Sequence, residues 1–253
     1  MVTVSGIIKR YGAKNVLDGV SADFPTEKLV AFIGSNGAGK STLLSIITRT
    51  LQKNEGIVQV DGKSIDQWKN KELARQLSVL KQSNHLTIRI KVRELVAFGR
   101  FPYSQGNLTR EDEAKIDEAI AYTGLEELRE RYMDELSGGQ RQMAYIAMVI
   151  AQDTKYIFLD EPLNNLDMKH SVQIMAILRR LVRERNKTVM VVIHDINFVS
   201  HYADYIVAMK DGKIIAGGDV EEMMNSRMLE KVYGMDIEVQ TIHNRKVCLY
   251  YSA

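Results

Sequence analysis

Three short runs in the chain are almost wholly apolar: Leu29 to Ile33 (LVAFI), Tyr156 to Leu159 (YIFL) and Val189 to Ile193 (VMVVI). Continuous rather than alternating apolarity predicts strands buried on both faces, as in a parallel sheet covered by helices. Each run ends in polar residues: Gly34 and Ser35, Asp160 and Glu161, His194 and Asp195. Ligands of open α/β sheets sit beyond the carboxyl ends of the strands, so these three ends are the first candidates for a site. Residues 56 to 62 alternate and close on Asp61-Gly62, and Asp211-Gly212 joins residues 205–209 to 213–217 as a predicted hairpin. With VTVSGII near the start, these predict antiparallel strands beside the parallel core.

Helical signals dominate residues 84 to 152. Thr109 with Asp112 caps a helix rich in acid at its start, and Gly124 lies where a terminating glycine belongs. A later helix, about 169 to 185, places Ile174, Ile177, Leu178 and Leu181 on one face. Pro25, Pro102 and Pro162 are expected in loops. From Gly218 onward the pattern predicts a helical turn plus a strand packed on the core. The layout expected is one domain over residues 1–253: a parallel-sheet core, an antiparallel portion, and a helical insertion over about 84–152.

Composition narrows the class. The 253 residues include 34 Lys+Arg against 32 Asp+Glu, and 45% are hydrophobic. Such a chain can bury a sizeable core and is not wholesale disordered. A formal net charge of +2 does not announce a nucleic-acid or membrane-surface binder. Cys248, a single cysteine, excludes an internal disulfide and suits a reducing compartment. The opening residues lack the apolar stretch of a secretory signal, and no run approaches the ~18 apolar residues of a membrane span. A soluble intracellular protein is expected.

Candidate chemistry begins with Gly34, Ser35, Asn36, Gly37, Ala38, Gly39, Lys40 and Ser41, which fit G-x-x-x-x-G-K-[ST] between an apolar strand and the helical run Thr42 to Arg49. Glycines let successive backbone N–H groups turn inward around phosphates without Cβ clashes. The helix N-terminus adds its dipole, Lys40 reaches the β and γ phosphates of a nucleoside triphosphate, and the Ser41 hydroxyl ligates Mg. Tyr156 to Glu161 supplies the partner, an apolar strand delivering Asp160 to hold Mg and Glu161 to orient the attacking water. His194 ends the third strand. From these residues alone it is equally a structural histidine or a partner of the γ-phosphate.

A second phosphate-directed turn follows. Ser137, Gly138, Gly139 and Gln140 open a helix whose apolar positions are Met143, Ile146, Ala147 and Ile150. Ser137-x-x-Gln140 is a capping box, but that does not explain two glycines, each costing up to ~1 kcal/mol relative to alanine in a helix. A bare helix N-terminus with a hydroxyl is a phosphate site. The chain thus has two such turns and one phosphate-reaching lysine. A two-fold homodimer, in which one copy's Lys40 loop faces the other's Ser137 turn across shared ATP, resolves the mismatch. Loss of the γ-phosphate then releases one side.

On these motifs the chain resembles the nucleotide-binding subunits of ATP-binding cassette transporters along essentially its whole length. The LSGGQ signature, Leu136 to Gln140, lies between the two phosphate-site motifs as in that family. The resemblance implies a P-loop NTPase fold of the α/β class, with a RecA-like parallel-sheet core, an antiparallel β portion and an inserted α-helical subdomain. It implies Tyr11 stacked on adenine, Gln82 linking Mg to the helical insertion, Asn164 to Asp167 crossing the dimer interface, and His194 as the switch histidine. Residues 92–103 and the Pro162-to-Asp167 variant are similar to importers of iron–siderophore complexes, haem and cobalamin, although Leu163 and Met143 depart from the usual pattern. The implied partners are integral membrane permease subunits and, indirectly, an extracytoplasmic solute-binding protein, with the chain peripheral on the cytoplasmic face of the membrane. The function expected is ATP-driven import of an iron–siderophore complex, and the alternatives are import of haem or cobalamin, or a soluble ATPase acting on ribosomes or DNA. The one dense basic stretch, Arg179 to Arg185, is explained by the solvated face of its helix, so no nucleic-acid partner is expected.

Overall fold

The apolar runs form strands, and the polar residues after them form the turns. In the computed structural model, which describes residues 1–82 and 88–250, the strands and helices follow in this order. The first part holds β1 (Val2–Tyr11), β2 (Lys14–Phe24), β3 (Leu29–Ile33), α1 (Lys40–Ile47), β4 (Glu55–Val60), β5 (Lys63–Ser64), α2 (Asn70–Leu73) and β6 (Leu77–Leu80). A helical stretch follows, with α3 (Val92–Phe98), α4 (Phe101–Ser104), α5 (Arg110–Thr123) and α6 (Gly138–Ala151). Then come β7 (Tyr156–Asp160), α7 (Met168–Arg185), β8 (Thr188–Val192), α8 (Ile196–Tyr202), β9 (Tyr205–Lys210) and β10 (Lys213–Asp219). The chain closes with α9 (Val220–Met223), α10 (Ser226–Tyr233), β11 (Glu238–Ile242) and β12 (Arg245–Leu249). The expected insertion begins at 84, and its residues 84–87 lie outside the described ones.

The chain divides into two compact units, Met1–Trp68 with Thr188–Ala253, and Lys69–Lys187. In the first, β3 pairs in parallel with β8 on one side and β9 on the other. Every residue of β3 and β8 is buried, as their continuous apolarity predicts. β10 returns antiparallel to β9 through Asp211 (φ 48°) and Gly212 (φ 75°), the doubly left-handed turn that an Asp-Gly pair favours. A separate antiparallel sheet runs β2-β1-β4-β5. The C-terminal hairpin β11–β12 is fastened to α8: the Cys248 amide donates to Asn197 Oδ1 (2.8 Å) and Ser200 Oγ donates to the Lys246 carbonyl (2.8 Å). Burial, with the Asp195 charge adding to it, pushes the Cys248 thiol up to about 11, which leaves it unreactive.

In the second unit, β6 and β7 are parallel, Leu80 level with Leu159. Thr109 and Asp112 form the predicted capping box at the start of α5, and Gly124 closes it at φ 70°. Arg100 Nε donates to the buried Asp112 carboxylate at 2.8 Å. α6 buries Met143, Ile146, Ala147 and Ile150, and α7 buries Ile174, Ile177, Leu178 and Leu181, the faces expected from their spacing. Two expectations need correction. The tail from Gly218, expected as a helical turn plus a strand, forms the helices α9 and α10 and the hairpin β11–β12. Pro102 lies inside α4 rather than in a loop, because the first helical turn has no intrahelical use for the N–H that proline lacks.

Candidate functional site

In the first unit, β3 ends by delivering Gly34 into a curled loop that becomes α1. Gly34, Gly37 and Gly39 have φ of 141°, 80° and 98°, a conformation that side chains other than glycine rarely adopt. Packing fixes the curl as well. A Cβ on Gly39 would lie 2.7 Å from Leu17 Cδ2 and 2.9 Å from the Val16 carbonyl, and one on Gly34 would collide with the Met209 carbonyl. Gly39 begins the helix with no side-chain cap, and the N-terminal end of a helix favours an anion through its dipole. Lys40, itself buried, folds back across the loop and donates to the carbonyls of Gly34 (2.7 Å) and Ser35 (2.9 Å). Its ammonium therefore sits within the curl where a phosphate would accept it. Ser35, Asn36 and Gly37 are exposed, and Ser41 and Thr42 half-buried, along the same turn.

Two further predicted residues belong to this unit. Tyr11, at the end of β1, is 55% exposed, with the Lys9 ammonium 5.1 Å from its ring centroid. The cation lies over one face of the exposed ring. His194 is exposed just beyond β8, and the next residue, Asp195, caps α8 by accepting from the Asn197 amide at 2.8 Å. The histidine is thereby fixed to the root of a helix.

In the second unit, the register of β6 against β7 brings Gln82 level with Glu161. Leu80 faces Leu159, and two residues beyond each of them, past the strand ends, the Gln82 side-chain amide donates to Glu161 Oε2 at 2.7 Å. The Asn164 amide donates to the same oxygen. Glu161 sits at φ 49° and Asn165 at φ 59°, so the turn after β7 holds two non-glycine residues in left-handed conformations. Strain of this kind persists only where surroundings enforce it and gathers at functional sites. Asp160, one residue earlier, is buried at 8% exposure.

The second glycine turn lies in this unit too. Ser137 caps α6, accepting from the Gln140 amide at 3.2 Å, while the Gln140 side chain accepts from the Ser137 amide at 3.0 Å. The predicted capping box is therefore present. The two glycines differ: Gly138 is exposed with open space where a Cβ would be, whereas Gly139 is buried and a Cβ there would run into the ring of His170. His170 drew no attention in the sequence, since a lone histidine near a helix start carries no distinguishing pattern.

Comparison with known proteins sets these motifs in context. The ABC transporter family model matches residues 17–164. The petrobactin import ATP-binding protein YclP of Bacillus subtilis (strain 168) is 55% identical over 252 residues, covering 100% of both chains. The petrobactin import ATP-binding protein FatE of Bacillus anthracis is 48% identical over 94% of this chain and 96% of its own. Among solved structures, the cassette MJ0796, a dimer in a post-hydrolysis state with ADP and phosphate, superposes with a TM-score of 0.77 at 28% identity, covering 87% of this chain and 99% of that one.

Proposed function

Since the chain belongs to the ABC transporter family, with the α/β P-loop NTPase fold of its cassettes, we propose that it is the ATP-hydrolysing subunit of an importer for an iron–siderophore complex of the petrobactin type. The observation that carries this reading is the 55% identity to a petrobactin import ATP-binding protein, extending over the whole of both chains.

The roles follow from the chemistry of each residue. The backbone N–H groups of Gly34 to Gly39 and the first turn of α1 through Thr42 bind the phosphates, and Tyr11 stacks on the adenine. Lys40 exchanges its two carbonyl partners for the β and γ phosphates. Ser41, Gln82 and Asp160 offer a hydroxyl, an amide oxygen and a carboxylate, hard oxygen donors of the kind Mg takes alongside substrate phosphates. Gln82 fits this because its nitrogen is the atom donated to Glu161. When bound there, Mg neutralises charge developing on the phosphates. Glu161 accepts a proton from the attacking water, with Gln82 and Asn164 holding its carboxylate in place. His194 donates to the γ-phosphate. Ser137, Gly138, Gly139 and Gln140 of a second copy close over the same nucleotide, so ATP favours the closed homodimer by contacts made only there.

Closure drives membrane permease subunits, which an extracytoplasmic binding protein loads from the far side. The chain itself lies peripherally on the cytoplasmic face. No helix among the described residues is long and apolar enough to cross a membrane. The docking surface is the segment from Val92 to Tyr103, where Phe98 and Phe101 are 48% and 60% exposed. Exposed aromatics of this kind serve as interface anchors.

Replacing Glu161 with Gln tests the mechanism. ATP binding should persist, turnover should fall by at least about a hundredfold, and the protein should become a dimer on gel filtration with ATP and magnesium. A monomer at saturating ATP would refute the shared-nucleotide arrangement. Growth on ferric petrobactin against other ferric chelates, with and without this subunit, tests the cargo.

A further inference from the structure

His170 joins two parts of the second unit that the proposed function uses separately. Its ring packs against the backbone of Gly139, so closely that no side chain could replace the glycine hydrogen. Its Nδ1 lies 2.9 and 2.8 Å from the two carboxylate oxygens of Asp167, and its amide donates to the same group at 2.8 Å. The His170 amide and ring together hold the Asp167 carboxyl below the usual carboxylate range. Asp167 in turn ends the loop that begins at Glu161, and Asn164 within that loop donates to the Glu161 carboxylate. A second strut runs in parallel, from the Gln142 amide of α6 to the Pro162 carbonyl at 3.0 Å.

We propose that His170 is a positioning residue that ties the Ser137–Gln140 turn to the loop carrying Glu161, so that engagement of the turn by nucleotide is transmitted to Glu161 within the same protomer. This rests on the shared-nucleotide reading above. In that arrangement the turn serves the partner's nucleotide and Glu161 serves the protomer's own, and His170 links the two. The route is short and made of stiff parts. A planar ring seated on a glycine cannot yield without moving, and Asp167 is fixed by two bonds to one residue. A displacement of α6's first turn must therefore shift the Asp167 end of the loop, and with it Asn164 and the carboxylate it holds. No proton transfer by His170 is involved.

The test compares His170→Ala and His170→Asn in the full-length protein. Alanine removes both the ring and the bond to Asp167. Asparagine keeps an N–H donor close to the Nδ1 position. For His170→Ala, kcat should fall about tenfold while KM for ATP stays within about twofold, because the Lys40 loop is untouched. His170→Asn should recover most of the lost kcat, and the melting temperature without nucleotide should change little in either variant. Unchanged kcat in the alanine variant overturns the proposal. So does a fall in kcat matched by a fall in melting temperature that asparagine fails to restore, since that marks a merely structural residue. The Glu161→Gln protein with His170 intact reports separately on the shared-nucleotide reading, so failure of the one is not mistaken for failure of the other.

Discussion

The turn from Gly34 to Lys40 and the turn from Ser137 to Gln140 both open a helix with glycines, yet glycine serves each for a different reason. In the first, three glycines take positive φ and two are pressed against the Val16 carbonyl and Leu17 side chain and against the Met209 carbonyl, so the curl exists before any ligand arrives. Its helix has no side-chain cap, and a buried lysine occupies the centre of the curl. In the second, the glycines have ordinary helical conformations, Ser137 supplies the cap, and the surface of the turn is open at Gly138. In the proposed function the first turn is the complete phosphate cradle. The second is a stable helix end that presents a flat backbone and needs a phosphate brought to it. Under the proposed function the two turns divide the labour asymmetrically: the first holds nucleotide alone, and the second only completes an assembly.

The largest effect expected from this contrast is at Gly39. Alanine there takes a left-handed conformation and meets Leu17, which together should cost about 3 kcal/mol. Melting without nucleotide should fall by roughly 10 °C for a chain of this size. ATP binding by the isolated protein should be lost with it. A Gly39→Ala protein that melts like the parent would show that the curl is not pre-formed.

Replacing Ser137 with Ala is intermediate. It removes the cap of α6, worth about 1 kcal/mol, and should lower the melting temperature by roughly 2–4 °C. Nucleotide binding at the Lys40 loop should be unaffected in the monomer, as measured by equilibrium titration. ATP-driven dimerisation of the Glu161→Gln protein should weaken. Weakened binding in the monomer would mean that the Ser137 turn contributes to a site within its own chain.

The same contrast explains what was legible in the sequence. The Lys40 loop was readable because its sequence signal is local: an apolar strand before it, a helix after it, and glycines at fixed offsets; the distant backbone of Met209 that presses on Gly34 was not readable. The capping boxes at Thr109 and Ser137 were readable for the same reason, since donor and acceptor are three residues apart. The continuous apolarity of residues 29–33 announced a strand buried on both faces, and it is. Gly139 was only half legible. Its cost as a helical glycine was evident, but the neighbour that demands it is His170, thirty-one residues on, and only the packing of α6 against the start of α7 brings them together. The pairing of Gln82 with Glu161 is likewise a product of strand register. Pro102 misled because a four-residue helix leaves no periodic pattern, while its first turn accepts proline readily.

Gly138 gives the smallest change in stability and the clearest discrimination between the two turns. It is exposed, its φ is not left-handed, and a Cβ there meets nothing within 4 Å. On folding grounds alone alanine is the better residue, by up to about 1 kcal/mol. The Gly138→Ala protein should therefore melt at or slightly above the parent temperature without nucleotide, the opposite sign from Gly39→Ala. Closure should nevertheless fail, because the added methyl occupies the surface that must approach the partner's γ-phosphate. Gel filtration in the Glu161→Gln background with ATP and magnesium reads this directly, as a loss of dimer. A dimer that forms as readily as in the parent would mean that the glycine at 138 is not there for close approach, and the open turn would lose its role as the second half of the clamp.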